Sequence, residues 1–128
     1  TPEDLAGLRM KDGPRGAGPA MCAARDWART ALLLAHATLF IGTDSGPLHL
    51  AAALGTTCIG LYGPASPEHT APPAAGGRMM YTHFPCSPCD QRGCIRPDDP
   101  CMRHHTPEDV FRTAATMLTH RSPVAAHG

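Results

Sequence analysis

The segment Gly42-Thr43-Asp44-Ser45-Gly46-Pro47-Leu48-His49 holds the residues of this chain that are best suited to binding chemistry. A short apolar run precedes the segment and predicts a buried strand, and a proline at the start of the following Leu/Ala-rich run predicts the first turn of a helix. A helix start presents free N–H groups and the positive end of the helix dipole, both of which attract anions. A phosphate-bearing ligand is therefore the first hypothesis.

The residues of this turn have different expected roles. Gly46 lets the backbone approach a ligand closely because it has no side chain. Asp44 and Ser45 are residue types that cap helices, and His49 falls on the first helical turn. The alternative is an ordinary strand-to-helix turn, in which Asp44 or Ser45 caps the helix and His49 is a surface residue.

A second strand and turn follow the helix. Residues 57–62 form an apolar run that is typical of a buried strand, and Gly63-Pro64 ends it. Strands that alternate with helices predict an α/β fold with a parallel sheet, in which ligands bind beyond the carboxyl ends of the strands. Both turns fall at that edge, so we expect Asp44-Ser45-Gly46 and Gly63-Pro64 to converge on one crevice. The alternative is a rigid turn without a binding role.

The remaining pattern places the other elements. Apolar spacing predicts a helix over residues 22–36 with Trp27, Ala31, Leu34 and Ala35 on its buried face, and a helix from about residue 47 to residue 54. Strands are predicted at 38–42, 57–62 and 78–82, and a last helix is predicted to open at Thr106-Pro107. The charged residues at 92–103 are expected in a solvated loop, and so are His83, His104 and His105, whose alternative role is to replace a cysteine as a metal ligand.

Four cysteines lie close together in the sequence. Cys86, Cys89, Cys94 and Cys101 occupy a stretch with several prolines, which is not typical of a packed core. The first pair has the spacing of a metal knuckle, and the four thiols could surround one tetrahedral Zn²⁺. An iron–sulfur cluster, two disulfides and four free thiols are the alternatives. In each case we expect a structural role for the loop.

The run GTDSGPLHLAAALG, continued by TTCIGLYGPASPE, closely resembles the donor-site half of the heptosyltransferase-like glycosyltransferase family 9. The resemblance consists of the D-S-G-x-x-H segment, a second strand that ends in Tyr-Gly-Pro, and the later cysteine cluster before a C-terminal helix. It covers roughly residues 22–119. The family has the GT-B architecture, so the resemblance implies a Rossmann-like α/β domain, the C-terminal half of such an enzyme.

The resemblance also implies the ligand and the partners. The C-terminal half of these enzymes holds a nucleotide-diphosphate sugar, commonly ADP-heptose, while the N-terminal half binds the acceptor and supplies the catalytic carboxylate. Ser45 and the backbone at Gly46 would contact the diphosphate, and His49 would reach a phosphate or a sugar hydroxyl. The nucleotide-sugar-binding residues implied here are Thr43, Asp44, Ser45, Gly46, Pro47, His49 and Gly63. Catalysis would need no cofactor, and Zn²⁺ would have a structural role.

Length and charge limit the other function classes. The 128 residues suit one domain, which is about half of what a two-domain transferase needs. Residues 1–20 are rich in Gly and Pro and match the family poorly, whereas 21–128 form the expected nucleotide-sugar-binding domain with its four-cysteine loop at 86–101. Eleven basic and eleven acidic residues leave no basic patch for nucleic acid. No apolar run is long enough to span a bilayer, so a cytoplasmic location is expected.

These features predict the donor-binding domain of an enzyme that transfers heptose, or a related sugar, to a lipopolysaccharide-type acceptor. None of its residues is expected to act as a catalytic base. The isolated chain is therefore expected to be inactive without an N-terminal domain, and only the full enzyme would contact a membrane-bound acceptor, peripherally. The alternative is a zinc-stabilised α/β binding module, or a degenerate remnant, without transferase activity.

Overall fold

The computed structural model describes residues 26–73, 77–89 and 91–120. The helices are α1 (Trp27–His36), α2 (Gly46–Ala53), α3 (Pro67–Thr70) and α4 (Pro107–Thr119). The strands are β1 (Phe40–Thr43), β2 (Cys58–Tyr62) and β3 (Arg78–Tyr81), and a single 3₁₀ turn, Cys101–His104, precedes α4.

The chain divides into two compact units, residues 1–30 and residues 31–128. In the first unit the described residues begin at Asp26, whose carboxylate accepts a hydrogen bond of 2.9 Å from the N–H of Ala28 at the start of α1. The second unit contains the sheet and the remaining helices. The predicted segment 1–20 and its boundary lie outside the described residues.

The sheet of the second unit is parallel, with the strand order β1-β2-β3. Gly42 pairs with Gly60 across the first two strands, and Tyr62 pairs with Tyr81 across the next two. The predicted alternation of strands and helices is confirmed, and each strand boundary differs from the prediction by at most two residues. Because all strands run in one direction, the turns after β1 and β2 lie at the same edge.

The central strand and α2 form the core. Leu48 and Ala51 of α2 are fully buried with Cys58 and Tyr62 of β2, and Leu34 of α1 joins them. A buried hydrogen bond of 2.6 Å from Thr56 Oγ1 to the carbonyl oxygen of Leu34 connects the end of α1 to the approach to β2. Gly55 has φ +82° just after α2, where a left-handed residue commonly ends a helix.

The outer helices are more exposed than their apolar patterns predict. The structure starts α1 at Trp27, and residues 22–25 lie outside its description. Leu34 is the one buried residue of α1, while Trp27 is 64% exposed, so its predicted core position is wrong. In α4 no residue is fully buried, and Phe111 is 75% exposed. Apolar residues of a helix become buried only where the helix contacts another element, and in α1 and α4 that contact area is narrow.

The strand β1 is also less buried than predicted. It lies at the edge of the sheet, and its side chains alternate between half-buried and exposed. Phe40 packs against the core, whereas Ile41 on the opposite face is 44% exposed. Within the described ranges, no helix combines the length and the apolar character that crossing a membrane requires.

Candidate functional site

A cavity of about 230 Å³ lies beyond the carboxyl ends of β1 and β2. The turn after β1 contributes Thr43 and Asp44, and the turn after β2 contributes Gly63 and Pro64. Tyr62 and Ala65 also line it, as do Gln91 and Met102 from the cysteine-rich region. The two turns therefore meet at one crevice, in the place that the parallel topology predicts.

The start of α2 lies next to this crevice in the chain. Ser45 occupies the N-cap position with an extended backbone, but its side chain makes no capping hydrogen bond. Its hydroxyl instead donates to the carbonyl oxygen of Thr43 at 3.0 Å. The alternative in which the Ser45 side chain caps the helix is therefore wrong. Thr106 shows the contrast at α4, where its oxygen accepts a capping bond of 3.2 Å from Asp109 N–H.

The absence of a side-chain cap leaves donors at the start of α2. Pro47 has no N–H, and the first backbone hydrogen bond runs from His49 N–H to the carbonyl oxygen of Ser45 at 3.3 Å. The N–H groups of Gly46 and Leu48 precede that bond and receive no side-chain cap. Backbone N–H groups at a helix start are the donors that an anion uses.

His49 extends from the first turn of α2 toward Asp44. Its Nε2 atom lies 3.5 Å from Oδ1 of Asp44, and 49% of the His49 side chain is exposed. The carboxylate therefore holds the ring in place while part of the ring remains accessible. His49 and the residues Ser45, Gly46 and Pro47 are not among those that line the 230 Å³ cavity. Their role in binding stays a prediction.

Tyr62 is buried at the floor of the crevice. Its hydroxyl has no hydrogen-bond partner of good geometry among the described residues. Burial raises the pKa of Tyr62, and the nearby negative charge of Asp44 raises it further. The phenol is thus kept neutral and faces a carboxylate that also contacts His49.

The cysteine-rich region supports the turn after β2. The Ser87 hydroxyl donates to the carbonyl oxygen of Gly63 at 2.7 Å, and Cys89 N–H donates to that of Pro64 at 2.9 Å. Nε2 of His105 lies 2.6 Å from the carbonyl oxygen of Tyr62. His105 is therefore a structural contact, and its predicted place in a solvated loop is wrong.

Close packing explains the glycine at position 63. A Cβ atom there would lie 2.7 Å from Sγ of Cys101 and 3.0 Å from Sδ of Met102. The sequence predicts a ligand-binding role for Gly63, and it gives no indication that Gln91 and Met102 line the crevice. No periodic signal marks those two residues, and the φ of +59° at Gln91 is visible only in the structure.

A charged network orders the segment before α4. Asp99 accepts hydrogen bonds from Nη2 of Arg96 at 2.6 Å and pairs with Nε2 of His104 at 2.7 Å. The bond from Arg96, and then that from His104, lowers the pKa of the Asp99 carboxyl. The Arg96 guanidinium also lies 4.1 Å from the centre of the Phe84 ring. These residues keep the solvent access that a solvated mixed-charge loop predicts, with about half of the Asp99 side chain exposed, and the network adds order that the sequence does not show.

All four clustered cysteines line a second cavity of about 410 Å³, and Pro64, Gln91 and Met102 line both cavities. The thiols of the cluster are free, and so is the buried thiol of Cys58. Within the described parts of the chain, no three His, Cys, Asp or Glu residues are placed to hold one metal ion. Burial, and then the neighbouring cysteines, raise the pKa of Cys101.

The fold and the crevice define an α/β domain of the Rossmann-like kind with its site at the carboxyl ends of its strands. Comparison with known sequences agrees with this class. Residues 10–98 match the model of a family described as glycosyltransferase family 9 (heptosyltransferase). Because the match covers more than half of the chain, the chain belongs to this family.

Individual relatives carry heptosyltransferase names. The lipooligosaccharide heptosyltransferase 2 of Campylobacter jejuni is 31% identical over 86 residues, which are 66% of this chain and 27% of that protein. The lipopolysaccharide heptosyltransferase 1 of Pseudomonas aeruginosa is 36% identical over 67 residues, 52% of this chain and 19% of that protein. The chain thus spans roughly a quarter or less of these relatives. No solved structure gives a significant match.

Proposed function

We propose that this chain is the donor-binding part of a heptosyltransferase, in which the crevice beyond β1 and β2 binds the diphosphate of a nucleotide-diphosphate sugar such as ADP-heptose. The observation that carries the proposal is the meeting of two turns at one cavity, lined by Thr43, Asp44, Gly63 and Pro64. The sequence of these turns matches the family. The relatives are named as heptosyltransferases of lipooligosaccharide or lipopolysaccharide.

The chemistry of sugar transfer explains why a helix start would serve here. Negative charge grows on the departing diphosphate as the bond between sugar and phosphate breaks. The N–H groups at the start of α2, without a side-chain cap, would stabilise that charge more in the transition state than in the ground state. A hydrogen bond donated by the His49 ring would add to this stabilisation.

The carboxylate of Asp44 has a different role in this proposal. A carboxylate repels a phosphate, so direct contact between the two would weaken binding. Asp44 would instead orient His49, whose Nε2 atom lies 3.5 Å from Oδ1 of Asp44. Ser45 contributes its backbone, because its hydroxyl is already bonded to Thr43.

The small volume of the crevice supports a donor site that is shared with a second domain. Pockets that enclose small ligands commonly measure about 300–1,000 Å³, and this cavity of about 230 Å³ is smaller. It suits a diphosphate better than a complete nucleotide sugar. We therefore propose that an N-terminal half completes the site, binds the acceptor and supplies the catalytic base. The complete enzyme would work in the cytoplasm, where nucleotide-activated sugars are made, and would meet the membrane-bound acceptor peripherally.

Calorimetric titration of the chain with ADP and with ADP-heptose tests donor binding. Gly46→Leu places a large side chain at the helix start and is expected to abolish binding, because the diphosphate could no longer approach the backbone. Ala53→Leu adds bulk at the exposed far end of the same helix and serves as the matched control. Equal binding by both variants, or no binding by the parent chain, would contradict the proposal.

Transfer assays test the need for a second domain. The chain alone, given ADP-heptose and a lipopolysaccharide-type acceptor, is expected to show no turnover, and addition of an N-terminal half is expected to restore it. Turnover by the chain alone would refute the proposed need for an N-terminal half. The cysteine cavity favours one alternative, a metal-stabilised binding module, which metal binding without any nucleotide binding would identify.

A further inference from the structure

The four clustered cysteines have no role in the proposed donor site, yet they share one cavity. Cys86, Cys89, Cys94 and Cys101 line a space of about 410 Å³ that also contacts Ile95. A cysteine that serves as a small core residue is buried, as Cys58 is. Cys89 and Cys94 are exposed, and Cys86 and Cys101 are only half-buried. Core packing therefore does not explain the cluster.

The backbone near three of these cysteines is fixed to the sheet edge. The Thr82 hydroxyl donates a hydrogen bond of 3.0 Å to the carbonyl oxygen of Cys101. The N–H of Cys89 donates a hydrogen bond of 2.9 Å to the carbonyl oxygen of Pro64. Cys86 is followed by Ser87, whose hydroxyl bonds to Gly63 at 2.7 Å. Three of the thiols are thus carried by anchored backbone, which reduces the conformational entropy that a ligand must remove.

Cys94 also lines the cavity. Its Sγ atom accepts a hydrogen bond of 3.3 Å from the N–H of Arg96. A Cβ atom at the neighbouring Gly93 would meet nothing within 4 Å, so this part of the loop is not closely packed. The region after it is held by the bond between Arg96 and Asp99.

We propose that these four cysteines bind one Zn²⁺ as thiolates in a closed tetrahedral site. Four thiolates without an open position are a donor set that zinc prefers in structural sites. No three of these thiols converge on one ion in this structure, so binding requires the cysteine side chains to rearrange within the cavity that they share. The ion would tie Gln91 and Met102, which line both cavities, to the turn after β2.

Metal titration of the reduced, metal-free chain tests the proposal. Zn²⁺ is expected to bind with one equivalent per chain, and Co²⁺ is expected to give the intense visible absorption of a tetrahedral thiolate site. The measurement involves no nucleotide, so its result is independent of the proposed donor site. Failure to bind either ion stoichiometrically under reducing conditions would overturn the proposal. The titration uses the parent chain, so a variant that fails to fold cannot affect its result.

Single substitutions identify the ligands. Cys86→Ser, Cys89→Ser, Cys94→Ser and Cys101→Ser are each expected to weaken Co²⁺ binding by at least about tenfold, while Cys58→Ala leaves it unchanged. Binding that survives all four cluster substitutions would overturn the assignment. So would an iron–sulfur spectrum with bound iron, or a mass that shows two disulfides in the chain as purified from the cytoplasm.

Discussion

Nε2 of His49 lies 3.5 Å from Oδ1 of Asp44, which joins the start of α2 to the turn after β1. The same carboxylate lies close enough to the buried Tyr62 to raise the pKa of its phenol. One acidic side chain therefore links an accessible imidazole to the floor of the crevice. His49 does not line the 230 Å³ cavity, and we propose that it meets an anion beside it, with Asp44 as its positioning residue.

Substitution of His49 tests that role. His49→Ala is expected to weaken ADP binding about tenfold, because one hydrogen bond to the phosphate is lost. Isothermal titration at low salt measures the change. The matched control is His36→Ala at the exposed end of α1. Equal effects of the two substitutions would remove His49 from the site.

Tyr62→Phe is expected to leave the free energy of unfolding at pH 7 unchanged or about 1 kcal/mol higher, because the buried hydroxyl has no good partner. The raised pKa also predicts an effect at high pH. The folded state retains the phenol proton above pH about 10, where the unfolded chain loses it, so wild-type stability falls as the pH rises further. In urea unfolding between pH 8 and pH 11, the free energy of unfolding should fall less steeply with pH for Tyr62→Phe than for the wild type. An identical slope in both proteins would argue against a raised pKa.

Gly63→Ala is expected to destabilise the fold by about 1–3 kcal/mol, since the new methyl group would overlap Sγ of Cys101. Gly93→Ala is the matched control, because a Cβ there meets nothing within 4 Å. Thermal or urea unfolding of the two variants gives the comparison. A neutral Gly63→Ala would mean that the cysteine region does not pack against this turn.

Thr56→Val is expected to cost about 1–3 kcal/mol, because the carbonyl oxygen of Leu34 loses its 2.6 Å hydrogen bond in a buried setting. Thr116→Val removes a hydroxyl that bonds to the carbonyl oxygen of Arg112 on the exposed side of α4. That control should change the unfolding free energy by no more than about 0.5 kcal/mol. Similar losses for both would show that burial of the Thr56 bond contributes little.

Local patterns in the sequence determined most of the sheet and the position of the crevice. Pro47 and Gly55 mark the two ends of α2, and the apolar runs around them identify β1 and β2 to within two residues. These signals depend on backbone preferences and on side-chain periodicity over a few positions, which neighbouring residues alone specify. The parallel topology then follows from the order of the elements, and it brings Asp44 and Gly63 to one edge.

Tertiary packing decided the remaining features. His105 contacts the carbonyl oxygen of Tyr62 across 43 positions of sequence, and Gln91 and Met102 reach the crevice from a segment without periodic structure. The path of such a segment depends on which distant backbone groups it satisfies, so no local pattern encodes it. Exposure of Trp27 has the same origin, because its apolar character is local whereas its burial requires a facing element.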